Sequence, residues 1–259
     1  MSAQDPTRTR RRARAGLVAR RLVVALVTLV ALAVIAVAAD IAARGWATDR
    51  VAAELQRSEG LPEAPEVSVA GGSFLLQAAR GRFEDVTVTA ARWPTDGVEL
   101  RDVRARVPRV DVPRSVLLGR GGTVDVAAGT VRADLPWAQL SEQASVGGIP
   151  VEVSRAGEDL RGTTGFSVFG RRVDLSLVVA PQLVPGAVAL EPRSAAVAGQ
   201  EVSLREARRV AGLVGSTLLD GWTVPLDDVP PQVDLTALTV TDDGVRVDGA
   251  LRPTAHDVP

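Results

Sequence analysis

The sequence predicts an α+β protein in which an N-terminal transmembrane helix is followed by an antiparallel β-sheet domain packed with two or three helices. Three observations carry this. Residues 22–39 form an apolar run in which Thr28 is the sole polar member. From Pro65 to about Leu135, and again over 149–193, apolar residues alternate with polar ones at a period of two, as strands with one dry and one wet face require. Helical periodicity is confined to residues 40–59, 136–145 and 201–221, which flank or separate those stretches.

Composition narrows the classes. All 30 basic residues are arginine, there is no cysteine, and the single histidine is His256. Disulfides, thiolate chemistry and cysteine-held zinc are excluded, and a histidine general base or metal site is not expected. The net charge of −1 hides a division. The first 21 residues carry seven arginines and one acid, and the remainder carries 23 arginines against 30 acids. A basic head and an acidic body do not describe a nucleic-acid binder.

They do describe a chain that crosses a membrane. As a helix, residues 22–39 extend roughly 27 Å, close to the hydrocarbon thickness of a bilayer. The positive-inside rule assigns residues 1–21 to an unstructured cytoplasmic tail and everything after Asp40 to the other side. Ala36-Val37-Ala38 also fits a signal-peptidase site, but the apolar run exceeds the usual h-region of about 7–15 residues, so an uncleaved anchor is the expectation. Residues 40–64 then read as a juxtamembrane helix and linker, with Ala47, Val51 and Leu55 on one face and a stop at Gly60.

The body, residues 65–251, contains no Pro/Ser-rich linker and reads as one domain, followed by a frayed tail at 252–259. Expected strands are Val67–Ala70, Phe83–Arg92, Val98–Val110, an interrupted pair within Val124–Leu135, Ile149–Ser154, Asp159–Phe169, Arg171–Ala180, Ala187–Glu191, and a closing hairpin of Val233–Val240 and Val245–Leu251 about Asp242-Asp243-Gly244. Between the first two lies an apolar burst, Phe74-Leu75-Leu76. Pro136–Ser145 reads as a short helix that places Trp137, Leu140 and Ala144 on one face. The segment 201–221 places Val210, Val214 and Leu218 on another. On the third strand Arg101, Asp102, Arg104, Arg106, Arg109 and Asp111 interleave with Val103, Val107, Val110 and Val112. That row is a solvated outer face or an anion-binding strip. The Gly119–Gly122 run lacks the Lys-Ser/Thr of a phosphate loop, and the adjacent acids at 227–228 and 242–243 lack calcium-loop spacing. No nucleophile motif is present, so no enzyme activity, metal or cofactor is expected.

Two blocks carry a family resemblance. The first is Val67, Val69, Gly71, Phe74, Leu75, Gln77 and Gly81, followed by the Val86–Val88 strand. The second runs from Pro225 to Val247 in the pattern P-L-x-x-V-P. With the arginine-rich N-terminus and single apolar run, they make the chain similar to the LmeA-type phospholipid-binding proteins of actinobacteria over roughly residues 40–251. Ser73 departs from the pattern, where proline is common. The resemblance implies a curved antiparallel sheet backed by helices, similar to tubular lipid-binding folds, with an extracytoplasmic apolar groove for membrane phospholipid or a lipid-linked precursor and a role in cell-envelope assembly. On that basis Phe74, Leu75 and Leu76 are expected at the groove lip and Trp137, Leu140, Val210, Val214 and Leu218 along its wall, with plain core packing as the alternative for each. A membrane-tethered scaffold that binds another envelope protein is the other reading.

Overall fold

The computed structural model describes residues 7–95, 98–146, 149–168, 171–206, 222–225 and 229–258. It opens with α1, a single helix from Thr7 to Ser58. This corrects the expectation of an unstructured tail followed by two separate helices. Alanine and arginine are strong helix formers, and a helix already nucleated by the apolar run propagates at little cost in both directions. Gly60, at φ 64°, ends it as anticipated.

The strands largely follow the period-two pattern. β1 (Glu66–Ala70), a short helix α2 (Phe74–Arg80), and the two 14-residue strands β2 (Arg82–Thr95) and β3 (Val98–Asp111) come first. A helical turn α3 (Arg114–Leu117), β4 (Gly122–Val126), β5 (Gly129–Pro136) and α4 (Trp137–Gln143) follow. A two-residue ribbon, β6 (Ser145–Val146) with β7 (Ile149–Pro150), leads into β8 (Glu152–Ala156), β9 (Asp159–Val168), β10 (Arg171–Val184), β11 (Ala187–Val197) and β12 (Gln200–Val202). The chain ends with β13 (Trp222–Pro225), β14 (Val233–Val240), β15 (Gly244–Leu251) and β16 (Thr254–Val258).

Besides the β6–β7 ribbon, the described residues form two larger antiparallel sheets. The first has the order β1-β2-β3-β5-β15-β14, with β4 joined to the end of β3 and β16 to β4. The second runs β12-β11-β10-β9-β8, with β13 on β11. The expected frayed tail is therefore wrong for residues 254–258: β16 pairs with β4 from Thr254↔Val126 to Val258↔Gly122. Backbone hydrogen bonding along an edge needs little from the side chains, so the segment gave no periodic signal.

Curvature in the first sheet is built at two aspartates. Asp85 in β2 and Asp102 in β3 have left-handed backbones, φ 50° and 48°, and each sits where the ladder skips. Such bulges bend and twist a strand, and aspartate tolerates this conformation better than most side chains. Glycine is needed where strands approach most closely: a Cβ on Gly244 would lie 2.1 Å from the Leu135 carbonyl oxygen.

The sheets meet around one cluster. Leu160, Leu177, Val179 and Ala195 of the second sheet are buried with Val245 of the first, and Trp137, Leu140, Leu190, Leu238 and Val247 pack against them. Away from this junction the apolar face of the first sheet is less covered. Val67, Val69, Val86, Val88, Val103, Ala105, Val107 and Val131 share that face by register and are all only half-buried.

The opposite face is charged and cross-linked. Asp134 of β5 accepts two hydrogen bonds from Arg246 of β15, both 2.7 Å. That guanidinium holds the Asp134 carboxyl below its ordinary pKa, first through the hydrogen bonds and then through its charge. A carboxyl depressed in the folded state contributes stability above its unfolded pKa and loses it as pH falls through the folded value. Urea unfolding midpoints are therefore expected to drop on acidification below about pH 4, and Asp134→Asn to flatten part of that drop.

Candidate functional site

The apolar burst after β1 forms α2, and the surrounding contacts explain why. Ser73 has an extended backbone and its Oγ accepts from the Leu76 amide at 3.2 Å, a side-chain N-cap. Gly81, at φ 69°, closes the helix, and a Cβ there would lie 2.5 Å from the Val112 carbonyl oxygen. Gln77 is buried, and its side chain bridges two strands. Its Nε2 donates to the Ala70 carbonyl at 3.1 Å and its Oε1 accepts from the Glu84 amide at 2.8 Å. This is where the β1–β2 register shifts, so Gln77 satisfies backbone groups that the interrupted ladder leaves free.

The other two amides in the first turn of α2 are satisfied from a distant part of the chain. Asp40, one residue beyond the apolar run, accepts from the Phe74 amide at 3.0 Å, the Leu75 amide at 2.8 Å and the Ser73 hydroxyl at 2.7 Å. The Leu75 amide, then the Ser73 hydroxyl and the Phe74 amide, hold its carboxyl below the usual carboxylate range. Arg44, one turn on, donates from Nη2 to the Gly72 carbonyl at 2.6 Å. Asp40 and Arg44 were not singled out from sequence, and Ser73 was noted only as a departure from the motif, not as a helix cap. The available signal was a D-x-x-x-R pair at the end of the apolar run and a serine, a favoured N-cap, immediately before the apolar burst.

The apolar residues of α2 divide by role. Phe74 is buried against Phe83, with ring centroids 5.5 Å apart. Leu75 and Leu76 are exposed by 44% and 48%. Trp137 and Leu140 pack on the cluster between the sheets, and Trp137 Nε1 donates to the Asp242 carbonyl at 2.8 Å. The structure thus keeps Phe74, Leu75 and Leu76 together and sets Trp137 and Leu140 at the sheet junction. Val210, Val214 and Leu218 lie outside the described residues. The expected 201–221 helix starts later than anticipated: residues 200–202 are β12, and a Ser203–Glu206 capping box opens a helix at Leu204.

In the arginine row of β3, Arg106 and Arg109 are paired, as are Arg82 of β2 and Arg132 of β5 beside them. Arg106 binds Asp85, Arg82 and Arg109 both reach Asp111, and Arg132 binds Asp248. A shallow depression lined by Arg82, Glu84, Asp85, Arg106 and Arg109 lies on this side. With Asp111 its charges balance, so it is a poor anion site. Among the described residues there is no cluster of potential metal ligands.

What distinguishes the molecule is apolar and open: a half-covered Val/Ala sheet face and a leucine-bearing helix tied to the end of a long apolar helix. A family model described as LmeA-like phospholipid-binding matches residues 38–250. The chain belongs to that family. Comparison with curated proteins and with solved structures gives no match. The LmeA-like region begins two residues before Asp40, so the residues that fasten α2 lie inside it. Of the motif residues in this LmeA-like chain, Val67 and Val69 lie in β1, Gly71 and Gly81 have left-handed backbones, Gln77 braces the β1–β2 register shift and Phe74 is core, leaving Leu75, with its neighbour Leu76, at the surface.

That division is testable by urea denaturation. Phe74→Ala is expected to cost about 3–5 kcal/mol, as buried aromatic truncations do. Leu75→Ser and Leu76→Ser are each expected to change stability by no more than about 0.5 kcal/mol, as exposed substitutions do.

Proposed function

We propose that this chain is a membrane-anchored, extracytoplasmic member of the LmeA-like phospholipid-binding family, with residues 1–21 cytoplasmic and residues 22–39 in the bilayer. It holds phospholipid, or a lipid-linked precursor, along the apolar face of its first sheet in support of envelope assembly. One observation carries the groove assignment. The inward face from Val67 to Val131 is apolar and, apart from the buried Ala90, only half-buried, while the same face is closed at Ala133 and Val245 near the sheet junction. Thirteen apolar residues form the fully buried core of the described residues, and six of them are alanine. A folded domain rarely leaves so much contiguous apolar surface half-covered without a ligand or partner to cover it.

The chemistry suits a lipid tail. Valine and alanine fill less volume than leucine or phenylalanine and leave room beside the sheet. Each buried methylene of an acyl chain contributes about 0.8 kcal/mol, so a shallow groove retains lipid without specific polar contacts. Leu75 and Leu76 are assigned to the lip with Phe74 buried beneath them, and Trp137 and Leu140 to the closed end of the wall where they also serve the core, while Val210, Val214 and Leu218, expected on that wall, lie outside the described residues.

The anchor assignment rests on the helix: Leu26–Ser58 is one helix long and apolar enough to cross a membrane, and the side chains of residues 26–39 are almost all exposed. Ion pairs across β2, β3, β5 and β15 already engage charged groups that the scaffold reading would present to a protein partner.

Native mass spectrometry of the full chain released from detergent tests the proposal. A bound phospholipid mass is expected to persist under activation that strips loosely associated lipid. A spectrum free of lipid at every charge state, from folded protein purified out of native membrane, counts decisively against it.

A further inference from the structure

Among the described residues, exposed large apolar side chains are not scattered over the sheets. Beyond the apolar run they are Ile41, Trp46 and Val51 of α1, Leu75 and Leu76 of α2, Leu117 and Leu118 at the end of α3, and Val258. All but Val258 belong to three helices that touch in series. α1 holds α2 through Asp40, and α2 holds α3 through the Ala79 carbonyl, which accepts from Arg114 Nε and Nη2 at 2.9 and 2.6 Å.

The position of Asp40 determines what covers this surface. It is the first residue after the apolar run, and so stands where a helix of that length leaves the hydrocarbon layer. The Leu75 amide lies 2.8 Å from its carboxylate. Leu75 and Leu76 are therefore within a side chain's length of that boundary. Trp46, six residues further along α1, stands roughly 9 Å farther out, at headgroup depth, where tryptophan is favoured.

From this we infer that α2 is a membrane-contact element: Asp40 clamps it so that Leu75 and Leu76 insert into the outer leaflet, and the lip of the lipid groove opens onto acyl chains rather than onto water. The inference rests on the anchored reading above and adds to it the surface through which lipid passes. A second protein would need to seat on leucines already at the depth of the bilayer boundary. The bilayer reaches them with no further partner. Lipid leaving the leaflet then meets apolar contacts beside the sheet edge at β1, and its tails need not cross water.

The chain has no cysteine, so single-cysteine labelling reports each position alone. The full-length protein is reconstituted in phosphatidylglycerol–phosphatidylcholine vesicles. It carries the fluorophore NBD at Leu75→Cys, Leu76→Cys, Leu32→Cys in the apolar run, or Asp243→Cys. Asp243 lies in the exposed β14–β15 turn, at the far edge of the sheet from β1. Quenching by lipids with a nitroxide high on the acyl chain is expected to be several-fold greater at 75 and 76 than at 243. Asp40→Ala is expected to diminish it at 75. Strong quenching at 32 with none above the 243 level at 75 and 76 overturns the membrane-contact element and leaves the anchor standing. Absence of quenching at 32 overturns both. Quenching at 75 that Asp40→Ala leaves unchanged overturns the clamp.

Discussion

The three hydrogen bonds that Asp40 accepts from the start of α2 fix the end of the long helix against the sheet domain. A helix N-terminus leaves its first amides without intrahelical partners, and a seven-residue helix has few bonds of its own to compensate. Here two of those amides are satisfied by a carboxylate 34 and 35 residues away, and the next by Ser73. The short helix thus exists where it does because α1 is there. The placement of Phe74, Leu75 and Leu76 follows from that joint, as does the route of the chain from β1 into β2.

Within the domain the governing fact is the choice of small apolar side chains. Strands built of valine and alanine satisfy the backbone through their ladders and present a dry face, but they do not fill the space beside it. Leucine appears where the two sheets meet, at Leu160 and Leu177, and there both are buried. Toward β1 and β2 the face carries mostly valine and, apart from the buried Ala90, stays half-covered. Packing density therefore grades along one sheet, from a sealed junction to an open apolar surface, and the two aspartate bulges curve the strands along that gradient.

Much of this was legible in the residues. Period-two alternation located β1, β2, β3, β10 and the closing hairpin to within a few residues, because half-buried strands must alternate. Gly60, Gly81 and Asp243-Gly244 marked their boundaries through backbone conformation or close approach. The motif from Val67 to Gly81 was legible as a fold mark, and the roles of Gln77 and Gly81 explain why it specifies architecture. What escaped was long-range. The pairing of β16 with β4, and of β13 with β11, depends on partners more than 30 residues away and leaves no local pattern. Asp40 read as the polar end of an apolar run, since nothing in its neighbours reveals that Ser73 folds back onto it. Leu75 and Phe74 are adjacent and alike in composition, so only the fold could assign one to the surface and the other to the core.

The continuity of α1 has a further consequence. The apolar run and residues 40–58 are one helix, fastened to the domain at Asp40 and Arg44, with no hinge between them. In the anchored arrangement such a protein has no leash. Its domain cannot swing away from the surface, and it extends outward no farther than its own length. A phospholipid taken from the leaflet must be returned to the same membrane or collected by something that comes to it. The molecule is then suited to the work of a fixed station at the bilayer, and not to that of a shuttle across the envelope.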